Sequence, residues 1–202
     1  MYNVISDIAG NFKALQALLA KMPDGKVLSV GDMIDRGPRS REVVEFFMGG
    51  GGEALRGNHE DFCLQYHYPT GRYAHDDWAW NGGTATIDSF GGTVPGTVLE
   101  WMSGLPLYKE LSLDGKLYFV SHAFIRWDKD GLDGREETLL WNRSIPIENN
   151  RYALQICGHN SQFGLRWWGN PAYGVCIDTS RNKVLTGINL PSGKIYEQEY
   201  ID

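Results

Sequence analysis

The chain has 202 residues, 42% of them hydrophobic and 22% charged, which is the balance of a soluble globular protein with a sizeable core rather than a disordered one. No apolar run approaches the roughly 18–20 residues of a membrane helix, and Met1 to Asp7 lacks the regions of a secretion signal, so a cytoplasmic location without a membrane partner is expected. The net charge of −6 argues against extended contact with nucleic acid, although a small anionic substrate responds only to local charge.

A strand-like run from Asn3 to Ser6 leads through a glycine-containing turn into Asn11–Lys21, where Phe12, Leu15, Leu18 and Leu19 fall at helical spacing. Val27 to Val30 reads as a buried strand. Ser40–Met48 reads as a second helix with Val43, Val44, Phe46 and Phe47 on its apolar face, ended by the run Gly49–Gly52. Glu53–Arg56 is a third strand candidate, followed by Gly57-Asn58-His59-Glu60 and a short helix. This alternation predicts right-handed crossovers and a largely parallel sheet, an α/β arrangement.

Residues 67–104 lose the helical periodicity and are rich in His, Trp, Gly and Asp. They read as a helical insertion or cap, with helices near Asp76–Phe90 and Thr97–Ser103, inside one domain covering 1–202. Beyond Leu105, the runs Leu107–Leu113 and Lys116–Ser121 flank Asp114-Gly115, a hairpin signal. Alternating runs at Tyr152–Cys157, Tyr173–Ile177, Lys183–Ile188 and Lys194–Tyr200 predict a mostly antiparallel second sheet packed on the first. Cys63, Cys157 and Cys176 show no close pairing and read as small buried thiols.

Asp7, Asp32, Asn58-His59, His122 and His159 each follow a predicted strand, where open α/β sheets build their sites. The other two histidines, His67 and His75, do not. One such residue alone reads as an ordinary structural group, but the set together points to a site. Carboxylate, amide oxygen and imidazole suit a divalent transition metal better than Ca²⁺ or Mg²⁺. A carboxylate shared by two cations holds them about 3.5–4 Å apart, the spacing of two-metal phosphoryl chemistry.

Gly31-Asp32-Met33-Ile34-Asp35-Arg36-Gly37 and Arg56-Gly57-Asn58-His59-Glu60 resemble the GDxxDRG and RGNHE signatures of the PPP-type serine/threonine phosphatases, within the calcineurin-like metallophosphoesterases. The nearest type is the small bacterial and phage phosphatase of lambda. Weaker fragments extend the resemblance: Ser6–Gly10, Trp80-Asn81-Gly82-Gly83, Ser121-His122-Ala123, Trp141-Asn142-Arg143, Gly158-His159 and Ile177-Asp178-Thr179. The resemblance implies two packed mixed β-sheets flanked by helices, with a small helical insertion. It also implies two divalent metal ions, Mn²⁺ first, with Fe or Zn²⁺ as alternatives. Asp7 would bind the first ion, Asp32 would bridge both, and Asn58, His122 and His159 would complete the second. A metal-bridging hydroxide would attack phosphorus. His59, oriented by Asp35, would protonate the leaving group, and Arg36, Arg56 and Arg143 would grip the phosphoryl oxygens. Against these roles stand plainer ones: Asp35-Arg36-Gly37-Pro38 also suits a turn with a surface ion pair, and Arg143 an exposed loop.

The first signature is broken. Asp7-Ile8-Ala9-Gly10 carries a methyl group where the family pattern has a metal-binding imidazole, so weak occupancy of the first position and impaired turnover are expected. Two explanations compete: a deliberate histidine-to-alanine change, or natural drift toward a binding role. The intact remainder of the pattern favours the first.

The leading expectation is removal of phosphate from phosphoserine or phosphothreonine, extending to phosphotyrosine, in a phosphoprotein or phosphopeptide partner. The alternatives are a diadenosine tetraphosphate hydrolase or cyclic-nucleotide phosphodiesterase on the same scaffold, and a catalytically dead phosphoprotein binder. Symmetrical dinucleotide hydrolases of the family usually have Ala where this chain has Asp35, and GNHD where it has Glu60, which favours the phosphatase. Trp78, Trp80, Trp101, Trp127 and Trp141 could stack a base but read more simply as core. A monomer or weak homodimer is expected.

Overall fold

Period-two burial along the first strand lays out two layers of core. β1 (Tyr2–Ile5) sends Val4 into a cluster between two sheets and Ile5 into a cluster beneath helices. The structure, a computed structural model, describes residues 1–70, 76–125, 127–128, 131–132, 136–144, 148 and 151–201. α1 (Phe12–Lys21) buries Ala14, Leu15 and Leu18 and stops just before Pro23, which cannot continue a helix. After β2 (Lys26–Ser29), α2 (Ser40–Met48) buries Val43, Val44 and Phe47 and ends at Gly49. β3 (Glu53–Ala54) and α3 (Asn58–His67) follow.

The insertion consists of a π-helical turn at Ala79–Gly83, α4 (Thr84–Ser89) and α5 (Gly96–Ser103), with residues 71–75, His75 included, outside the described ones. Then come β4 (Tyr108–Leu113), β5 (Lys116–Ser121), the two-stranded ribbon of β6 (Trp127–Asp128) and β7 (Gly131–Leu132), and α6 (Glu136–Trp141). β8 (Leu154–Cys157), β9 (Arg166–Gly169), β10 (Ala172–Cys176), a 3₁₀ turn at Ser180–Asn182, β11 (Val184–Leu190) and β12 (Lys194–Glu199) complete the chain.

The first sheet has the order β12-β11-β1-β2-β3, and the second β4-β5-β8-β10-β9. β1, β2 and β3 are mutually parallel, as are β5, β8 and β10, while β11, β12, β4 and β9 each pair antiparallel with their neighbours. Val4, Leu28, Val30, Leu55 and Ile188 of the first sheet meet Val120, Ile156, Val175 and Ile177 of the second. Each such fully buried aliphatic side chain contributes about 1.5–3 kcal/mol.

Two expectations need correction. The runs at Lys183–Ile188 and Lys194–Tyr200 join the first sheet, because β11 pairs with β1 in the register Tyr2↔Leu190 to Ile5↔Gly187. The second sheet is accordingly mixed around a parallel centre rather than mostly antiparallel. The hairpin expected at Asp114-Gly115 is present, and both residues take the left-handed φ (49° and 71°) that such a two-residue turn requires.

Candidate active site

The six parallel strands point their carboxyl ends at one place. Asp7, Asp32 and Asn58 follow β1, β2 and β3, and His122, His159 and Asp178 follow β5, β8 and β10. Each sheet thus delivers three polar side chains to a shared crevice. All six are at most 5% exposed. The loops that carry them are tightly wound: Asp7, Ala9, Asp32, Asp35, Arg36 and His159 take left-handed φ values between 48° and 74°. Such φ values on non-glycine residues cluster where a fold holds functional groups. Gly31 is required for a steric reason as well, since a Cβ there would lie 2.5 Å from the Gly57 nitrogen. The β2 and β3 loops touch backbone to backbone.

Glu60 locks that contact. Its carboxyl accepts the N–H groups of Asp32 (2.9 Å), Met33 (2.8 Å) and Gly57 (2.8 Å). Burial, then the neighbouring Asp32 charge, pushes the Glu60 carboxyl up to about 7. Sequence reading quoted Glu60 within a signature without giving it this work. Its position three residues beyond Gly57, at a helix start, was the available signal.

The donors Asp32, Asn58, His122 and His159 are crowded together. Asn58 Oδ1 lies 2.9 Å from His122 Nε2 and 2.8 Å from His159 Nδ1, and Asp32 Oδ1 lies 3.3 Å from His122 Nε2. His122 Nδ1 faces the Val30 carbonyl at 3.0 Å, and donates its hydrogen there. In a neutral ring Nε2 then carries a lone pair, which points at carboxylate and amide oxygens that are themselves acceptors. Burial holds His122 below the ordinary histidine value, so the ring stays neutral. Burial, the other imidazole and Arg143 press His159 down to about 2. Converging lone pairs without hydrogens between them suit a cation. Donors about 2.1 Å from a metal at right angles lie about 3.0 Å apart, which matches these spacings. Ligand atoms of Asp7, Asp32 and His122 all fall within 4.8 Å of one another.

On the Asp7 side the donors thin out. Asp7 accepts the Ser6 hydroxyl and the His159 N–H at 3.3 Å, and Tyr200 donates to its carbonyl at 3.4 Å. Ala9 is buried, with its backbone fixed by bonds from Gly37 N–H and the Asn11 amide to its carbonyl. Asp178, to which sequence reading gave no role, lines the crevice with Asp7 and Asp32.

Beside these lies a proton-handling pair. His59 Nδ1 is 2.6 Å from Asp35 Oδ2, and Arg36 Nη2 lies 2.8 Å from His59 Nε2. Burial opposes a charge on His59, but Asp32 and Asp35 outweigh it and hold the ring above its ordinary value. The insertion buttresses Asp35: Trp78 Nε1 donates to it at 2.9 Å and Thr86 Oγ1 at 2.6 Å. Trp78 is 1% exposed, so it is a support for Asp35 and no surface for stacking a base. Trp141 lines the crevice, Trp101 is half-buried, Trp80 is 88% exposed, and the Trp127 side chain lies outside the described residues.

The three arginines part company. Arg36 and Arg143 line the crevice, a cavity of about 160 Å³, and Arg143 also donates to the Asn160 side chain at 3.2 Å. Arg56 is not among the described residues lining it. Its guanidinium pairs with Glu136 at the start of α6.

Comparison with known proteins places this architecture. A bis(5'-nucleosyl)-tetraphosphatase, symmetrical, of Shewanella sediminis is 30% identical over 172 residues, 81% of this chain and 58% of that protein. The chain spans about three fifths of the length of the curated relatives it matches. A crystal structure provisionally identified as a diadenosine tetraphosphatase superposes with a TM-score of 0.70 at 17% identity, covering 100% of this chain and 94% of that one. A cold-active protein-tyrosine phosphatase of a psychrophilic Shewanella superposes at 0.60 with 16% identity, covering 98% and 80%. At such identities these two likenesses speak to the fold alone. Among the described residues no helix is long and apolar enough to cross a membrane. The pattern of the calcineurin-like phosphoesterases matches residues 2–184, through every strand that brings a donor to the crevice, and the chain belongs to that family.

Proposed function

We propose that this chain is a metal-dependent hydrolase of phosphate esters or anhydrides, and that its substrates are dinucleoside polyphosphates cleaved symmetrically. The convergence of Asp32, Asn58, His122 and His159, with lone pairs facing one another, carries the metal-dependent part. Asp7 and Asp32 would hold a first cation and Asp32, Asn58, His122 and His159 a second. When bound, such cations neutralise phosphoryl charge and acidify water. The mixed oxygen and nitrogen donors suit Mn²⁺, Fe or Zn²⁺. Arg36 and Arg143 orient the phosphoryl oxygens through fork-shaped donors. A crevice of about 160 Å³ admits a phosphate group and leaves the rest of a substrate outside. The substrate class is supported by the curated relatives, which are named as symmetrical tetraphosphatases.

A second reading, release of phosphate from phosphoserine or phosphothreonine, is favoured by the Asp35–His59 pair. An alkoxide leaves poorly without a proton, whereas a nucleotide phosphate leaves readily as an anion. His59, whose proton Asp32 and Asp35 hold more firmly than an ordinary histidine holds its own, is therefore worth more to an ester than to an anhydride. Incubation with Mn²⁺ and either diadenosine tetraphosphate or a phosphoserine peptide separates the readings. Two molecules of ADP per dinucleotide, formed faster than phosphate from the peptide, is the expected result. Faster phosphate release from the peptide moves the assignment to the second reading. Retention of the peptide with no product from either substrate marks a binding protein and overturns both.

A further inference from the structure

A cavity of about 160 Å³ that admits one phosphate group leaves both nucleosides of a dinucleotide outside it. Two aromatic side chains stand beside its lining residues and outside the core. Trp80 is 88% exposed and Phe163 71%, more than any other large hydrophobic side chain among the described residues. Trp80 directly precedes the lining residue Asn81 in the Ala79–Gly83 turn, about 3.8 Å away along the backbone. That turn is tied to the loop after β2. The Arg36 N–H donates to the Gly82 carbonyl at 3.2 Å, and a Cβ on Gly82 would lie 2.8 Å from Arg36 Cγ. Phe163 follows the lining residue Ser161 by two positions, at most about 7 Å along the chain. Ser161 Oγ is 2.8 Å from Ser180 Oγ, and the Gln162 N–H donates to the Asp178 carbonyl at 2.9 Å, which ties this stretch to the segment after β10. Trp80 is thus anchored with the loops of the first sheet and Phe163 with those of the second, on different walls of the crevice.

We propose that Trp80 and Phe163 stack the two bases of a dinucleoside polyphosphate, one on each wall, with the phosphoryl group that is cut held in the crevice between them. This deepens the dinucleotide reading above and rests on it. Every base has a π-face, so an open aromatic ring takes it without reading its edges. The two indoles of the insertion divide the work. Trp78 is 1% exposed and donates to Asp35, whereas Trp80, which the sequence also reads as core, lies open to solvent. On the other wall the Arg181 guanidinium stands over the Phe163 ring, 5.2 Å from its centroid. A ring still 71% exposed keeps its other face for a base. A phosphoserine peptide, with one phosphate and no base, gains nothing from such a pair.

Steady-state kinetics of the full chain on diadenosine tetraphosphate with Mn²⁺ test the pair. Trp80→Ala and Phe163→Ala are each expected to raise KM about 10-fold and to leave kcat within about 2-fold, because a contact made equally in the ground and transition states is lost. Trp80→Phe should recover most of the first loss, since a smaller ring still stacks. Inhibition by inorganic tripolyphosphate, which carries the anhydrides and no base, should be unchanged in all three variants. Their melting temperatures should match the native chain, as both rings lie outside the core. An unchanged KM in either alanine variant, or an equal weakening of tripolyphosphate, overturns the assignment and leaves the dinucleotide activity of the native chain standing. No cleavage of diadenosine tetraphosphate by the native chain removes both.

Discussion

The two halves of the crevice are built from the same kind of strand end and differ in what they present. The half around His122 gathers a carboxylate, an amide and two imidazoles with spacings of 2.8–3.3 Å, and burial holds both rings neutral. The half around Asp7 presents carboxylates alone, and there burial and like charges raise the carboxyls instead. Neutral donors preorganise a cation site at little electrostatic strain, whereas packed anions need the cation in order to coexist. The first half is thus ready-made, and the second is completed by what it binds.

The largest expected effect comes from breaking both halves at their common member. Asp32→Asn removes the shared charge, and Mn²⁺ affinity should fall about 100-fold at each position with turnover nearly lost. Loss at only one position in a Mn²⁺ titration would mean that Asp32 is not shared. Next in size, Asp35→Asn lies outside both halves and should leave two Mn²⁺ bound. Phosphopeptide turnover should drop about 100-fold to 1,000-fold, because the ring of His59 loses the partner that holds its proton. Diadenosine tetraphosphate turnover should move less than about 10-fold by the leaving-group argument. Equal losses on both substrates would erase the distinction between the two readings.

Sequence reached the His122 half more fully than the Asp7 half, for physical reasons. Asp32, Asn58, His122 and His159 each stand just after an apolar run, and strand ends are locally visible. The helices α1 and α2 and the Asp114-Gly115 hairpin were legible for the same reason, since periodicity and turn chemistry are local. The seating of β11 beside β1 was not, because it joins residues nearly 190 positions apart. α6 and β9 escaped notice because α6 has six residues and β9, Arg166–Gly169, is a largely exposed edge strand. Asp178 stood in a quoted fragment, but only the β8–β10 register puts it beside His159. The hold of Trp78 and Thr86 on Asp35 likewise spans 43 and 51 positions.

The Asp7 half is also sharpened by adding to it. Ala9→His in the native background should tighten the first Mn²⁺ about 10-fold to 100-fold and leave the second unchanged, as read in the same titration. Acid separates the halves in the opposite direction. A carboxyl raised by burial and like charge takes up a proton at higher pH than an ordinary carboxyl, so protons compete with the first ion earlier on acidification. Groups held below their ordinary values, such as His122, His159 and Asp32, resist protonation more than usual. Isotherms at a neutral and a mildly acid pH should show Mn²⁺ weakening more at the first position than at the second.

The smallest effect tests the boundary between the halves and the insertion. Thr86 Oγ1 donates to Asp35 Oδ1 and accepts the Asp35 N–H at 2.9 Å, with no exposure to water. Thr86→Val keeps the volume and removes both bonds to Asp35, along with the hydroxyl's contact to Ser40 Oγ at 3.1 Å. Trp78 still holds the carboxylate and Ser40 Oγ still accepts the N–H at 3.0 Å, so Asp35 is loosened rather than freed. One net hydrogen bond is worth about 1 kcal/mol, which corresponds to a loss of about 5-fold in turnover with KM unchanged. A purely structural role for Thr86 would lower the melting temperature and leave the acid limb of the pH–rate profile in place. A role in orienting Asp35 shifts that limb, because the carboxylate then holds the proton on His59 less firmly, and it does so while both Mn²⁺ affinities stay where they were.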